Sequence, residues 1–267
     1  MLRRLNYAWR LFATALSFSC FGLGGLLLWV VVFPAMSLFI RDPRRLSISA
    51  RWVIHQSFRA FVGLMHGLGI FSYETHGLEK LNRRGLLVLA NHPSLIDVVF
   101  LISFIARADC VVKAALAANP FTRGPVLAAG FICNNGGPAM IEDSVASLRA
   151  GNNLIIFPEG TRTPINGAPG KLQRGASNVA VRGRIDVTPV LIQCNPSMLA
   201  KGVPWWRIPE RRPHFRIEVR DDMPIASLVD SCGSEALAAR RLTEHLADYF
   251  TTETRRGPRH DPRHANA

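Results

Sequence analysis

The sequence predicts an α/β fold, a mostly parallel sheet flanked by helices, preceded by one or two N-terminal membrane-associated helices. Two patterns predict it. Short apolar runs alternate with longer helical stretches from Gly85 onward, and a separate run at residues 11–40 contains no charged side chain. The 267 residues, 48% of them hydrophobic, are enough for one sizeable α/β domain and an appendage.

Six segments have the length and composition of β-strands. They are rich in Val, Ile, Leu or Phe, and their nearly continuous apolar character indicates strands that are buried on both faces. The predicted strands are residues 85–90, 109–113, 130–133, 153–157, 187–193 and 214–219, and helices are predicted near residues 94–106, 114–128, 143–150, 174–183 and 234–252. This alternation is typical of βα units in a mostly parallel sheet.

The N-terminal apolar run is long enough to enter a lipid bilayer. A helix over residues 11–40 would reach about 45 Å, whereas the hydrocarbon core of a bilayer is about 30 Å thick. Arginines flank the run on both sides, so charge does not set its orientation. A cleaved signal peptide is an alternative, but its apolar region should be only about 7–15 residues long, and bulky Phe18 before Cys20 argues against processing.

A second helix is predicted over residues 51–71, where polar residues recur at about four-residue spacing. One face is expected to carry Arg51, His55, Arg59 and His66, which favours a helix at a membrane interface. Two membrane arrangements stay open: a single span with the soluble part in the cytoplasm, or two helices that enter one leaflet. The alternative without a membrane is two helices packed in a soluble core. We expect a membrane-associated helical region at 1–76, an α/β domain at 77–250 and a mobile basic tail at 251–267.

The chain is strongly basic, with 32 Lys and Arg residues against 19 Asp and Glu residues and a net charge of +13. This charge favours anionic partners such as nucleic acid, phospholipid headgroups or an acidic carrier protein. The segment WWRIPERRPHFRIEVR (205–220) is typical of a membrane interface, although an acidic carrier protein or a charged sheet edge would suit it as well. No zinc-finger, recognition-helix or RNA-stacking pattern accompanies it, so we expect no nucleic-acid partner.

The five cysteines indicate neither a metal site nor a disulfide framework. They are scattered along the chain and form no C-x-x-C pair. We therefore expect no metal and a reduced domain that faces the cytoplasm. The sequence does not indicate an oligomeric state.

The stretch NHPSLID (91–97) places two ionisable residues directly after the first predicted strand. Pro93 fits the first turn of a helix and keeps the residue before it out of the helical conformation, so His92 should stand off the helix while Asp97 lies in its second turn. In that geometry the carboxylate can hold one ring nitrogen protonated, and the other can accept a proton from a hydroxyl group. A structural helix-start histidine is the alternative.

The stretch FPEGTRT (157–163) follows another predicted strand and should lie where α/β sheets place their ligands. We expect Glu159, Thr161 and Arg162 to be exposed there. Arg162 offers a planar fork suited to a phosphate or carboxylate, and Thr161 adds a donor. A polar turn with a surface salt bridge is the alternative. Neither stretch contains a Ser or Cys placed as a covalent nucleophile.

Together these stretches resemble the N-H-x4-D and F-P-E-G-T-R signatures of the glycerolipid acyltransferase family, which includes bacterial 1-acylglycerol-3-phosphate acyltransferases. The order of the signatures, VTPV (187–190) near a later strand and the basic-Gly-Ala stretch KLQRGA (171–176) also fit. The resemblance covers roughly residues 77–219.

The resemblance implies that His92 deprotonates an acceptor hydroxyl, which attacks the thioester of acyl-CoA or acyl carrier protein, while Asp97 orients the histidine. It implies no cofactor beyond this acyl donor. The family's acceptor-binding residues correspond to Glu159, Gly160, Thr161 and Arg162, and Arg174 in KLQRGA is a further candidate for substrate binding. It also implies membrane lipids as partners and a bacterial-type inner membrane, with the catalytic domain on the cytoplasmic side.

One stretch departs from the family. Where an arginine is expected to bind the acceptor phosphate, GFICNNGG (130–137) has Asn134 and Asn135, which can hydrogen-bond a hydroxyl group but cannot neutralise a phosphate. Lys113 or Arg123 could supply the charge. The leading reaction is acylation of 1-acylglycerol-3-phosphate to phosphatidate. Alternatives are another hydroxylated lipid (an ornithine lipid, a glycolipid or a lipid-linked pigment), a hydrolase, and a non-catalytic lipid-binding relative.

Overall fold

A seven-stranded sheet lies at the centre of the computed structural model, which describes residues 2–134, 137–164 and 171–256. The strands are β1 (Ser72–His76), β2 (Leu87–Ala90), β3 (Ala108–Lys113), β4 (Ile132–Asn134), β5 (Asn153–Ile156), β6 (Val187–Asn195) and β7 (His214–Val219). Their order is β1-β7-β6-β2-β5-β3-β4, and among these described strands only the β6–β7 pair is antiparallel. The predicted α/β class and its mostly parallel sheet are confirmed.

The first strand corrects the predicted domain boundary. β1 pairs with β7 along its whole length, from Ser72↔His214 to His76↔Glu218, so the α/β domain begins at Ser72 and not at residue 77. The sequence SYETH lacks an apolar run because β1 is an edge strand whose residues are all only partly buried. The strand therefore gives no local signal of the kind that identifies the other six strands.

Helices cover both faces of the sheet. They are α1 (Leu2–Leu27), α2 (Phe33–Phe39), α3 (Pro43–Gly67), α4 (Asp97–Phe104), α5 (Ala114–Ala118), α6 (Pro120–Ala129), α7 (Pro138–Arg149), α8 (Arg174–Gly183), α9 (Ala226–Asp230) and α10 (Glu235–Arg256). Alternate residues of β2 face opposite cores, with Val88 and Ala90 on the side of α3 and α4, and Leu87 and Leu89 on the side of α8 and α10. A three-layer arrangement results.

Some helix limits differ from the prediction. α7 begins at Pro138 instead of residue 143, because proline suits the first helical position. The helix predicted over 114–128 divides at Asn119, whose side chain accepts a hydrogen bond from Phe121 N and so starts a new helix. α10 runs to Arg256, so residues 251–256 are helical and not part of a mobile tail, while the remainder of the predicted tail lies outside the described residues.

The N-terminal segment is one apolar helix in three parts, because a π-helical turn (Leu28–Val32) joins α1 to α2. Within the described part of the chain, Arg3–Phe39 is the helix long and apolar enough to cross a membrane. It packs on α3, where the ring of Phe21 contacts Phe58 and Phe61. The prediction of an N-terminal membrane helix is consistent with this segment.

The predicted second helix exists as α3, but part of its basic face is buried within the protein. Arg51 and His55 are buried against the α/β domain. Arg51 pairs with Asp109 at 2.9 Å and donates to the carbonyl of Ala129 at 2.8 Å, while His55 Nδ1 lies 2.8 Å from the carbonyl of Ile102. The interfacial interpretation is therefore wrong for these two residues, because their polar groups have buried partners in the domain.

Candidate active site

The two signature stretches emerge side by side at one edge of the sheet. β2 pairs with β5 in parallel, with Leu89 opposite Ile156, so the loops after both strands leave the same carboxyl edge. Ligands in α/β proteins bind at this edge. The NHPSLID stretch follows β2, and the FPEGTRT stretch follows β5.

The His92 and Asp97 side chains are hydrogen-bonded, as predicted. His92 Nδ1 lies 2.9 Å from Asp97 Oδ2, and the backbone N–H of Ser94 donates to the same oxygen at 2.7 Å. α4 begins at Asp97 and not near Pro93, because a turn over residues 94–96 intervenes. With Nδ1 donating to the carboxylate, Nε2 is the ring nitrogen left to accept a proton.

The two members of the pair differ in exposure. The Asp97 side chain is fully buried, whereas the His92 side chain is 17% exposed. Burial raises the pKa of Asp97, and the nearby charge of Glu159 raises it further, while the hydrogen bonds from His92 and Ser94 lower it. The histidine therefore lies between solvent and a carboxylate that water does not reach.

Phe157 fixes the plane of the His92 ring. The two rings stack with centroids 4.2 Å apart and planes inclined by 26°. Since Phe157 is the first residue after β5, the second signature stretch orients the histidine of the first. This contact and the Asp97 hydrogen bond hold the imidazole on two sides.

The Glu159 side chain connects the loop after β2 to the loop after β5. It is buried, accepts the backbone N–H of His92 at 3.0 Å, and accepts from Thr163 Oγ1, which is 2.9 Å from both carboxylate oxygens. Thr163 N donates in turn to the carbonyl of His92 at 2.7 Å. The expected exposure of Glu159 is therefore wrong, because its carboxylate is used within the protein. Its role in substrate binding stays a prediction.

Arg162 links the site to the segment between β6 and β7. Its Nη1 donates to the carbonyls of Leu199 and Ala200 at 2.8 and 3.2 Å, and its side chain is half-buried. Gly160 has φ +64°, a left-handed conformation that glycine adopts without strain, and it turns the loop toward Thr161. The predicted contacts of Gly160, Thr161 and Arg162 with an acceptor stay predictions.

The remaining predicted residues lie further along the same edge. Lys113 and Asn134 end neighbouring strands, pair in register and are exposed, and Arg174 is the exposed first residue of α8. Because β5 and β3 separate β2 from β4, Asn134 is about 14 Å from the end of β2 by strand spacing alone. Asn135 lies outside the described residues. No group of three or more His, Cys, Asp or Glu in the described residues could hold a metal ion.

Comparison with known proteins finds a family match for the α/β domain. Residues 72–193 match the model of the family described as Acyltransferase, and this range contains both signature stretches and β1. This chain carries an acyltransferase-family domain. The predicted glycerolipid acyltransferase resemblance is thereby confirmed.

The acyltransferase domain has relatives of known name and structure. The chain is 28% identical over 165 residues to 1-acyl-sn-glycerol-3-phosphate acyltransferase of Pseudomonas aeruginosa. The matched region covers 60% of this chain and 64% of that relative, which is just under two thirds of the relative's length. The crystal structure of the 1-acyl-sn-glycerophosphate acyltransferase PlsC from Thermotoga maritima matches with a TM-score of 0.69 and 19% identity. It covers 97% of this chain and 100% of that one, so the two share a fold.

Several residues of the candidate site were not identified from the sequence. Phe157 and Thr163 lie inside the FPEGTRT stretch, so their positions were available although their contacts were not. Ser94 contributes through its backbone N–H, and Leu199 and Ala200 through their carbonyls. Backbone groups carry no signal of residue type, and therefore no pattern in the sequence indicates them.

Proposed function

We propose that this protein is a membrane-associated O-acyltransferase. It moves a fatty acyl group from acyl-CoA or acyl carrier protein to a lysophospholipid hydroxyl, with 1-acylglycerol-3-phosphate as acceptor and phosphatidate as product. The observation that carries the proposal is the His92–Asp97 pair, in which a buried carboxylate orients a partly exposed imidazole within an acyltransferase-family domain. The named relative from Pseudomonas aeruginosa supports the choice of acceptor.

The reaction follows from the orientation of the imidazole. Nε2 of His92 takes the proton of the acceptor hydroxyl while that oxygen attacks the thioester carbonyl carbon. The new C–O bond forms, the C–S bond breaks, and the imidazolium returns the proton to the departing thiolate. Asp97 keeps Nδ1 protonated and stabilises the imidazolium. General base catalysis of this kind contributes about 10²–10⁴ in rate.

The proposed membrane location is supported by the packing of α1. Arg10 contacts the segment between β6 and β7, and Gly25 lies against the backbone of Phe121 at the start of α6. These contacts are about 22 Å apart along the helix axis, so α1 runs beside the α/β domain and not away from it. This favours helices that enter one leaflet over a single isolated span. We propose the cytoplasmic side of a bacterial-type inner membrane for the catalytic domain.

A second acceptor class is favoured by one observation. The family resemblance leads us to expect an arginine at the position of Asn134, which is the exposed end of β4, or of Asn135. An amide there suits a hydroxylated headgroup better than a phosphate dianion. Acylation of another hydroxylated lipid, such as an ornithine lipid, a glycolipid or a lipid-linked pigment, is therefore the alternative.

The deciding experiment offers purified, detergent-solubilised protein radiolabelled acyl-CoA and acyl carrier protein in parallel. The acceptors are lysophosphatidate and a total lipid extract, and His92→Ala protein is the control for contaminating activity. Labelled phosphatidate supports the leading proposal. Label only in another component of the extract supports the second acceptor class. Labelled free fatty acid with no acylated lipid contradicts both and indicates a hydrolase.

A further inference from the structure

The segment between β6 and β7, residues 196–213, is here called the connecting loop. It wraps around a buried arginine of the N-terminal helix. Arg10 is only 2% exposed, and its Nη1 donates to the carbonyls of Pro209 and Arg211 at 3.0 and 3.2 Å. Its Nη2 donates to the carbonyl of Glu210. A buried guanidinium requires such partners, so this end of the connecting loop is fixed to α1.

The other end of the connecting loop is fixed to the active site. The carbonyl of Leu199 accepts the backbone N–H of Leu95 at 3.1 Å and Nη1 of Arg162 at 2.8 Å. Leu95 and Arg162 belong to the two signature stretches. One segment of chain therefore joins the apolar helix to both loops that carry the proposed chemistry.

The outer surface of the connecting loop combines exposed indoles with positive charge. Trp205 and Trp206 are 40% and 57% exposed, and the ring of Trp205 also contacts Phe18 of α1. Residues 201–212 contain four basic residues against one acidic residue. Lys201, Arg207 and Arg211 are exposed beside the tryptophans.

We infer that the connecting loop is an interfacial anchor that binds the headgroup region of an anionic phospholipid bilayer. Tryptophan favours the headgroup level of a membrane, and exposed Lys and Arg residues are attracted to anionic lipid. An acidic protein would account for the basic residues but not for two exposed indoles that adjoin the apolar helix. The inference rests on the proposed function, in which the acceptor resides in the bilayer.

The position of the anchor places the site at the membrane. β6 pairs with β2 through Val190 and Ala90 and then continues to Asn195, so the connecting loop lies on the same edge of the sheet as His92. Docking of Trp205 and Trp206 turns this edge toward the bilayer. A lipid hydroxyl can then reach Nε2 of His92 without leaving the interface.

The test uses a protein with a single tryptophan. The chain has five, and replacing Trp9, Trp29, Trp52 and Trp205 by Phe leaves Trp206 as the only one. The protein is reconstituted into vesicles of phosphatidylglycerol or phosphatidylcholine that carry bromine near the carbonyl end of the acyl chains. We expect quenching of Trp206 that is stronger with phosphatidylglycerol. If this variant does not fold, the difference between wild-type and Trp205→Phe/Trp206→Phe protein gives the same signal.

Charge controls complete the test. We expect Lys201→Ala/Arg207→Ala to lose the preference for phosphatidylglycerol. The matched control Arg182→Ala/Arg184→Ala, which removes two exposed arginines near the end of α8, should keep it. The inference is overturned if Trp206 is not quenched in either kind of vesicle, or if it is quenched without a lipid preference. It is also overturned if only acidic carrier protein protects Trp206. Acyl transfer is measured in the same vesicles: transfer without quenching overturns only the anchor, and quenching without transfer overturns only the proposed function.

Discussion

Two buried aspartates in this protein each pair with a basic side chain, and the pairs differ in what surrounds the base. His92–Asp97 and Arg51–Asp109 both have a nitrogen–oxygen distance of 2.9 Å. Burial raises the pKa of each aspartate. The Arg51 side chain is enclosed by the protein, since it also donates to the carbonyl of Ala129. The His92 side chain is partly exposed.

The difference in exposure leads us to expect a role in activity for one pair and a role in stability for the other. The closed pair joins α3 to β3, and Ser147 of α7 also donates to Asp109, so this pair connects three elements of the fold. The hydrogen bond of the open pair joins two side chains that both lie within seven residues of chain after β2. We therefore expect damage to the open pair to lower activity and damage to the closed pair to lower stability.

The largest effect is expected for Asp97→Asn. The amide cannot support the imidazolium, so we expect kcat for acyl transfer to fall by about 10²–10⁴ while the protein stays folded. Steady-state kinetics and thermal unfolding of the same preparation check this. A rate close to that of the wild type would show that the carboxylate is not needed for the reaction.

Arg51→Met should affect stability instead. It leaves Asp109 buried without its positive partner, which costs about 3–5 kcal/mol in the free energy of unfolding. Denaturant unfolding measures this, and the double variant Arg51→Met/Asp109→Leu should recover most of the loss because no charge is left buried. Activity per folded molecule should stay near that of the wild type. A large fall in kcat without a loss of stability would contradict the assignment.

Thr163→Val tests how Glu159 positions the histidine. The variant loses the hydroxyl that donates to the buried carboxylate, and a hydrogen bond to a charged group is worth about 1.5–3 kcal/mol. We expect kcat to fall because the backbone of His92 is held less firmly by Glu159. The KM of the acyl donor should stay unchanged. Thr163→Ser keeps the hydroxyl and should restore the rate. If Thr163→Ser is as slow as Thr163→Val, the hydrogen bond is not responsible.

The smallest effect is a pH dependence of stability. Because burial raises the pKa of Asp97, the folded state binds the proton more tightly than the unfolded chain, and this stabilising contribution is lost as pH rises through the folded pKa. Each unit of pKa difference corresponds to about 1.4 kcal/mol. The difference in the free energy of unfolding, Asp97→Asn minus wild type, should therefore increase from acid to neutral pH. A difference that decreases over this range would contradict the raised pKa.

Local patterns predicted those features whose causes are local. The inner strands are apolar runs, and His92 and Asp97 lie in one short stretch directly after β2. β1 was missed because it is a partly buried edge strand without an apolar run. The burial of Arg51 and Glu159 was missed because their partners, Asp109 and the His92 backbone, lie on other segments of the chain.

The central claim is that His92 acts as the base in acyl transfer, and the rate of the His92→Ala protein tests it most directly. The matched control is His55→Ala, which removes a buried histidine that contacts the carbonyl of Ile102 and lies outside the site. We expect His92→Ala to lower kcat by about 10²–10⁴ with unchanged thermal unfolding, and His55→Ala to lower stability while keeping its activity per folded molecule. Transfer by folded His92→Ala at a rate near that of the wild type would contradict the account.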